Sequence, residues 1–169
     1  MRDLNPTRPV HESQIPALST YAHDTIAHLD LAPHPEGGWF KRTWQSPLEF
    51  SHEGHGPRPL ASLIYFLLPT GDYSDWHLVD ADELWLWHGP GTLDIEVCDT
   101  DPRSLSPREL ELRSTRTTLT LNAAHPEATT TQLLVKAGQW QRTLPAHGDT
   151  LVSCVVSPGF TYDGFEVID

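Results

Sequence analysis

The sequence predicts an all-β fold of the sandwich, jelly-roll or barrel type, and three observations indicate this class. After Pro33 the chain consists of short apolar or alternating segments rich in Trp, Val, Ile, Leu and Thr. Gly, Pro and Asp punctuate these segments, as they do in turns between strands. Many short strands at regular spacing favour such an architecture over a parallel α/β sheet.

Ten segments are predicted as strands. They are Gly38–Gln45, Leu60–Leu68, Ser74–Val79, Glu83–Trp87, Leu93–Cys98, Thr117–Leu121, Thr131–Val135, Gln139–Thr143, Leu151–Val156 and Phe165–Ile168. Two stretches interrupt this rhythm and are predicted as surface loops: 47–59, which holds Pro and Gly, and 99–116, which holds Pro102 and Pro107. The second loop has room for one helical turn around Arg108–Leu112.

The N-terminal part differs from the rest. Residues 1–18 hold three prolines among polar residues without a sustained period, which predicts an arm. Apolar residues then recur at helical spacing between Ser19 and Leu29, after a Ser-Thr pair that can cap, so one short N-terminal helix is predicted there. A chain of 169 residues fits one compact domain, which we place at residues 19–169.

Composition excludes several classes of partner. A net charge of -12 would repel a phosphate backbone, so nucleic acid is not expected to bind. The longest apolar run, Leu63–Leu68, is far shorter than the ~20 residues that span a bilayer. The N-terminus also lacks the apolar core of a signal peptide, and we therefore expect a cytoplasmic protein without a membrane partner. Cys98 and Cys154 lie in strand-like runs and are interpreted as reduced core thiols.

The most informative window runs from Gly71 to Gly89 and is predicted as strand, acidic turn and strand. His77 ends the first strand of this predicted hairpin and Glu83 opens the second, so both side chains can converge on one interior spot. Such a pair can transfer protons or form part of a metal site. The alternative is a buried, hydrogen-bonded pair without a function.

Two further segments carry candidate site residues. In the first, Gly138 permits a tight turn, and the following strand points Trp140 to one face and Gln141 to the other. In the second, a buried acid, Glu36, lies beside a Gly-Gly turn and precedes a strand that bears aromatic and cationic side chains. The alternative for this second segment is a purely structural turn.

Five motifs in order make the chain resemble the cupin superfamily, and specifically the uncharacterised cupin-5 group. They are His34-Pro-Glu-Gly-Gly-Trp-Phe, Ile64-Tyr-Phe-Leu-Leu, His77-x-Val-Asp-Ala-Asp-Glu-x-Trp85, Lys136-Ala-Gly-Gln-Trp140 and Ser157-Pro-Gly-Phe160. The resemblance covers nearly everything from residue 20 to 168. It implies a double-stranded β-helix, which is the cupin jelly-roll barrel, and a homodimer similar in fold to sugar-nucleotide epimerases.

The chain departs from the general cupin metal pattern, which has two His flanking one residue, a Glu several residues later and a third His in the second motif. Val79 stands at the second His position and Gln141 at the third. No cofactor is therefore firmly implied. A divalent metal held by His77, Glu83, Gln141 and waters remains an alternative.

These observations favour an enzyme of the isomerase, epimerase or lyase type that acts on a small polar metabolite, such as a sugar or nucleotide derivative. In this hypothesis His77 is the general base, Glu83 or Glu36 orients it or supplies the acid, and a cation or amide stabilises oxyanion charge. Two alternatives stay open: a non-catalytic metabolite-binding or sensor protein, and a metal-dependent dioxygenase-like cupin. The predicted ligand-binding residues are Glu36, Trp39, Lys41, Arg42, Tyr65, Trp85, Trp140 and Gln141.

Overall fold

The computed structural model describes residues 17–52 and 55–168. Its helices are α1 (Thr20–Leu29) and α2 (Pro107–Arg113). Its strands are β1 (Ala32–Pro33), β2 (Trp39–Gln45), β3 (Glu49–His52), β4 (His55–Pro59), β5 (Ser62–Leu68), β6 (His77–Val79), β7 (Asp82–Cys98), β8 (Thr115–Leu119), β9 (Gln132–Val135), β10 (Trp140–Thr143), β11 (His147–Ser157) and β12 (Phe165–Val167). The described fold is mostly β and every described strand pair is antiparallel, which confirms the predicted class.

Ten strands form one curled sheet, in the order β1-β2-β5-β11-β7-β10-β6-β12, with β8 and β9 also paired to β7. The first part of β7 pairs with β11 and β9, and its last part pairs with β10 and β8. Because one long strand belongs to both halves of the sheet, the halves fold over each other. Their facing sides enclose the main core, which includes Phe66, Trp85, Leu93 and Ile95.

Helix α1 covers the outer face of the first half of the sheet. Ser19 caps its N-terminus by accepting a hydrogen bond from the backbone N–H of Ala22. Ala22 is itself fully buried and packs against Leu67 of β5. Neither helix in the described part of the chain has the length and hydrophobicity needed to cross a bilayer.

Three predictions about the elements were wrong, and each error has a local cause. The segments Glu83–Trp87 and Leu93–Cys98 form the single strand β7, because the chain passes the Gly-Pro pair at 89–90 without leaving the ladder. The predicted loop 47–59 is instead the hairpin of β3 and β4. The predicted hairpin of His77 with Glu83 does not form, since β10 lies between β6 and β7.

Other predictions about the elements were accurate. Helix α1 occupies the predicted span, and α2 provides the helical turn expected inside the second loop. Cys98 and Cys154 are both buried and free. The predicted arm falls almost entirely on residues 1–16, which lie outside the described residues.

Candidate functional site

A cavity lies between the two halves of the sheet. It contains about 480 Å³ of space free of protein atoms, its open mouth included. Strands from both halves, the turn before β2 and the segment before β12 contribute side chains. The cavity is lined by His34, Glu36, Phe40, Arg42, Ser62, Ile64, His77, Val79, Glu83, Cys154, Val156, Phe160, Tyr162 and Phe165.

Strand alternation decides which side chains reach the cavity. In β2, Phe40 and Arg42 point inward, so the intervening Lys41 faces the other side of the sheet. In β5, Ile64 lies directly opposite Arg42 and also lines the cavity, whereas the next residue, Tyr65, packs with the helix side. The period of two therefore sorts each strand into a cavity face and an outer face.

A tight turn carries Glu36 into the cavity. The backbone N–H of His34 donates to the carbonyl of Gly38 at 3.0 Å, and that of Gly37 donates to the carbonyl of His34 at 3.1 Å. Gly38 has a φ of 71°, and a Cβ there would lie 2.8 Å from the ring of Phe66. The residue must therefore be glycine, because both its backbone conformation and its surroundings exclude a side chain.

Glu36 lies between two histidines. Its Oε2 is 3.6 Å from Nδ1 of His34 and 3.4 Å from Nδ1 of His77. Burial, and then the nearby Glu83, raise the pKa of Glu36 well above its usual value. This shift favours the protonated form of Glu36, which can donate a hydrogen bond.

The two histidines are neutral at physiological pH. Burial lowers the pKa of His34 to about 3, and the neighbouring His77 contributes to the decrease. Burial also lowers the pKa of His77 to about 4, although its hydrogen bond to the backbone of Asp75 opposes the shift. In that bond Nδ1 of His77 donates to the Asp75 carbonyl at 2.8 Å, which leaves Nε2 as an acceptor.

Glu83 is held by donors on two neighbouring strands. Nε2 of Gln141 donates to Oε2 of Glu83 at 2.5 Å, and the thiol of Cys154 also hydrogen-bonds to the carboxyl. Oε1 of Gln141 in turn accepts a hydrogen bond from Nε1 of Trp85 at 2.8 Å. Burial raises the pKa of Glu83 to about 7, against the opposing effect of these hydrogen bonds. Glu83 therefore gains or loses a proton near neutrality.

Arg42 is the exposed cation of the cavity lining. Its guanidinium lies 5.9 Å from the centroid of the Phe160 ring, and its Nη1 donates to Oε1 of Gln45 at 3.4 Å. Tyr162, which is 60% exposed, also lines the cavity. These side chains mark the solvent side, whereas Glu36, His77 and Glu83 are buried.

Half of the predicted site residues converge here. Glu36, Arg42, His77 and Glu83 line one cavity. Gln141 does not line it but donates a hydrogen bond to Glu83. His77 and Glu83 come together although they are not in one hairpin. Their predicted roles in binding and catalysis remain proposals.

The structure corrects the placement of the other predicted ligand-binding residues. Trp39 and Tyr65 pack against the cluster beneath α1, and Lys41 forms an ion pair with Asp30 on that outer side. Trp85 is only 1% exposed and lies behind the cavity in the main core. Trp140 belongs to a separate cluster with Trp76 and Cys98. Alternation explains the errors on β2, since adjacent residues cannot share one face.

Several cavity residues were missed by sequence reasoning. They are His34, Phe40, Ser62, Ile64, Val156, Phe160, Tyr162 and Phe165, together with Cys154, which was interpreted as packing. Alternation from Arg42 gives Phe40, and His34 stands in the same motif as Glu36. The contributions of Phe160, Tyr162 and Phe165 depend on how the C-terminal segment folds over the mouth, and no local pattern reveals that.

Comparison with known proteins shows the family to which the chain belongs. A family model described as Cupin_5, Cupin superfamily (DUF985), matches residues 23–168. The chain belongs to this cupin family. The double-stranded β-helix that the sequence motifs implied is thereby confirmed.

Two solved structures resemble this cupin over most of both chains. The protein SO0799 from Shewanella oneidensis is 34% identical, with a TM-score of 0.71 over 88% of this chain and 84% of that one. A hypothetical protein from Leishmania major is 29% identical, with a TM-score of 0.69 over 87% and 86%. No protein with a curated description matches the chain.

A more distant likeness concerns the fold alone. The oxalate decarboxylase of Lactobacillus farciminis, solved as a formate complex, is 13% identical with a TM-score of 0.52. The match covers 82% of this cupin and 33% of that chain. The decarboxylase activity of that protein is therefore not inferred for this chain.

The donor set of this cupin does not fit the metal pattern of the superfamily. Val79 places an apolar side chain in the cavity where that pattern has a histidine. Gln141 uses its amide oxygen for Trp85 and its amide nitrogen for Glu83. In the described part of the chain, no three His, Cys, Asp or Glu side chains form a metal-binding group. The set His77, Glu83 and Gln141 thus lacks the three or four good ligands that metals need.

Proposed function

We propose that this cupin is an enzyme of the isomerase, epimerase or lyase type that transfers protons within a small polar metabolite. The observation that carries the proposal is the convergence of Glu36, His77 and Glu83 in the buried part of one cavity. All three side chains are buried, yet each can exchange hydrogen bonds with a bound molecule. Clusters of buried titratable groups in a cavity are typical of catalytic sites.

Glu83 is the group that we assign to proton transfer. A pKa of about 7 means that it is partly ionised at neutral pH and can take a proton from a carbon next to a carbonyl. The base role first predicted for His77 is revised on this ground, because a pKa of about 4 makes His77 a much weaker base. His77 instead accepts a hydrogen bond from a substrate hydroxyl through Nε2.

Glu36 supplies the complementary acid. As abstraction of the proton shifts negative charge to the carbonyl oxygen, a neutral carboxyl can donate a hydrogen bond to that oxygen. The raised pKa of Glu36 keeps its proton available for this bond. Protonation of the resulting enolate on its other face gives epimerisation, and protonation at a neighbouring atom gives isomerisation. If the enolate instead expels a β-substituent, the reaction is an elimination.

The apolar side chains of the cavity strengthen these interactions. Phe40, Phe160 and Phe165 line the space around the acids and limit the access of water. A hydrogen bond to developing charge stabilises that charge more strongly in such surroundings than in bulk water. The aromatic lining and the buried acids thus support the same reaction class.

Proton transfer can be tested before the substrate is identified. The purified protein is incubated in D2O with a panel of hydroxy aldehydes, hydroxy ketones and their phosphates. Mass spectrometry then follows deuterium incorporation at the carbon next to the carbonyl. We expect at least one compound to exchange with the wild-type protein and to lose exchange with Glu83→Gln.

The matched control is Glu111→Gln, which makes the same chemical change at an exposed position of α2. This variant should exchange deuterium at the wild-type rate. Exchange that survives in Glu83→Gln would contradict the assignment of Glu83. Absence of exchange and product across the whole panel would contradict the enzymatic proposal.

A non-catalytic metabolite-binding role is the second candidate, and one observation favours it. His34 and His77 stay neutral across the physiological range, so neither histidine of the described cavity lining is a strong base near neutrality. Such a cavity can hold a metabolite by hydrogen bonds alone. In that case a compound that raises the melting temperature is recovered unaltered and undeuterated.

A further inference from the structure

We infer that the metabolite is a small organic anion whose carboxylate or phosphate binds Arg42 at the mouth of the cavity, with its reacting carbon directed towards Glu83. This inference rests on the proposed function and specifies its substrate class. Carboxylate and phosphate share the chemistry that matters here, which is a planar or tetrahedral set of anionic oxygens. A guanidinium offers two parallel N–H groups to such a set.

The surroundings of Arg42 separate it from the other arginines of the fold. Its described polar contact is the long hydrogen bond to Gln45, and no described carboxylate lies within 4.0 Å of it. By contrast, four arginines already form ion pairs with described carboxylates. These are Arg58 with Asp80, Arg103 with Asp101 and Glu166, and Arg116 and Arg142 with Glu96.

The position of Arg42 also differs from that of the remaining described cations. Lys41 is paired with Asp30 on the outer face. The others are exposed, with Lys136 between β9 and β10 and with Arg108 and Arg113 on helix α2. Within the described lining of the cavity, Arg42 is the one lysine or arginine side chain. A ligand that enters the cavity therefore meets a single cation without a carboxylate partner.

The interior is arranged for the uncharged end of such a ligand. Glu36, His77 and Glu83 are buried and offer hydrogen bonds, whereas the solvent side offers Arg42 and the ring of Phe160. Burying an anionic group among the carboxyls would be costly, but leaving it at the exposed guanidinium is not. One orientation is thereby favoured, with the anionic group outside and the hydroxyl or carbonyl group inside.

The net charge makes this cation functionally significant. The protein carries -12, so its overall field repels a small anion. A site that selects an anion against this field needs a local positive group that is not already neutralised by a partner. Arg42 meets that requirement, and it lines the same cavity as Glu83.

The test compares three probes that share one polyol frame: glycerol, glycerate and glycerol 3-phosphate. Isothermal titration calorimetry measures their affinity for the wild-type protein, for Arg42→Gln and for Arg108→Gln, which removes the same charge from α2. We expect the better of the two anions to bind the wild-type protein roughly tenfold more tightly than glycerol. Arg42→Gln should abolish this preference, Arg42→Lys should retain part of it, and Arg108→Gln should retain all of it.

The two anionic probes distinguish a carboxylate substrate from a phosphate substrate. Tighter binding of glycerate indicates a carboxylate, and tighter binding of glycerol 3-phosphate indicates a phosphate. Equal affinity for all three probes, no binding of any probe, or equal loss in Arg42→Gln and Arg108→Gln would overturn the inference. Its failure is distinguishable from failure of the proposed function. If a neutral compound exchanges deuterium and the exchange survives in Arg42→Gln, only the anionic nature of the substrate is overturned. If the protein shows an Arg42-dependent preference for anions without any exchange, only the proposed proton transfer is overturned.

Discussion

At the scale of single residues, burial gives Glu83 its chemistry. The carboxyl would be ionised in water, but inside the cavity its pKa is raised to about 7. Gln141 and Cys154 limit this increase by donating hydrogen bonds to the carboxyl. These two hydrogen bonds therefore help to keep the pKa of Glu83 near neutrality, where the carboxyl can both accept and release a proton.

Replacing Gln141 by Leu should destabilise the protein by about 2–3 kcal/mol, because it removes the partner of the buried Trp85 indole N–H and one of the two hydrogen-bond donors to Glu83. Urea denaturation measures this change. Gln139→Leu is the control, since Gln139 is only partly buried and water can replace its hydrogen bonds to Asp99 and to the backbone N–H of Lys136. An equal cost for both variants would contradict the network that we describe.

Glu83→Gln should change how stability depends on pH. Below pH 4.5 the carboxyl is protonated in both the folded and the unfolded chain. Between the unfolded pKa of 4.5 and the folded pKa of about 7, only the unfolded chain releases the proton, so the free energy of unfolding falls as pH rises. The wild-type protein should therefore lose about 3 kcal/mol over this range from Glu83 alone.

Glutamine cannot ionise, so the variant should lack this loss. Denaturation at about pH 4.5 and pH 8 should show the stability of Glu83→Gln, relative to wild type, increasing with pH. Glu111→Gln at an exposed position should show no such increase. A difference between Glu83→Gln and wild type that stays constant with pH would mean that the folded-state pKa of Glu83 is ordinary.

Residue types and motif order predicted the polar centre of the site from sequence. Glu36, Arg42, His77 and Glu83 were all candidates, because the order of five motifs supported residues that no single segment would have distinguished from ordinary buried polar groups. Side-chain direction was less well predicted. Lys41 and Arg42 were assigned to one site although alternation places them on opposite faces of β2.

At the scale of elements, β7 determines the curl of the sheet. It pairs with four strands along its length and passes from one half of the sheet to the other. Where it crosses β11, the backbones approach so closely that Gly91 has no room for a side chain. A Cβ at Gly91 would lie 2.5 Å from the carbonyl oxygen of Gly148.

Gly91→Ala should consequently destabilise the fold by about 2 kcal/mol or more, because a backbone atom cannot move aside as a flexible side chain can. Thermal unfolding measures the effect. Gly56→Ala is the matched control, since a Cβ there meets nothing within 4 Å. Similar melting temperatures for the two variants would contradict the close approach of β7 and β11.

Strand β7 also shows which properties of the strands could not be predicted from the sequence. Periodicity located both halves of β7 but not their continuity, because a Gly-Pro pair usually ends a strand. Likewise, the order of β10 between β6 and β7 depends on pairing over about sixty residues of chain. Local sequence predicts the existence of strands, whereas their neighbours are set by the whole sheet.

At the scale of the whole molecule, the homodimer implied by the family resemblance remains a proposal. Leu63, Leu84, Leu134 and Val155 are cross-strand neighbours on the outer face of the sheet. Leu134 is 50% exposed and the other three are half-buried. We propose that a second copy packs here, because two chains that each carry -12 can meet most easily across an uncharged row.

Val155→Lys should shift the protein from dimer to monomer, since it places a charge in the middle of this row. Light scattering after size-exclusion chromatography measures the mass. Leu112→Lys is the control, because Leu112 is 76% exposed on α2. A wild-type protein that is monomeric, or a Val155→Lys variant that remains dimeric, would contradict the proposed interface.

The central feature of the cavity is a pair of buried carboxyls, of which Glu83 titrates near neutrality and Glu36 has a pKa raised well above its usual value. Carbon-detected NMR of protein labelled at the Glu carboxyl carbon tests it directly, with Glu83→Gln and Glu36→Gln assigning the signals. We expect the Glu83 signal to titrate near pH 7 and the Glu36 signal to titrate well above the range of an ordinary glutamate. Titration of both carboxyls near 4.5, the value of an ordinary glutamate, would contradict the claim.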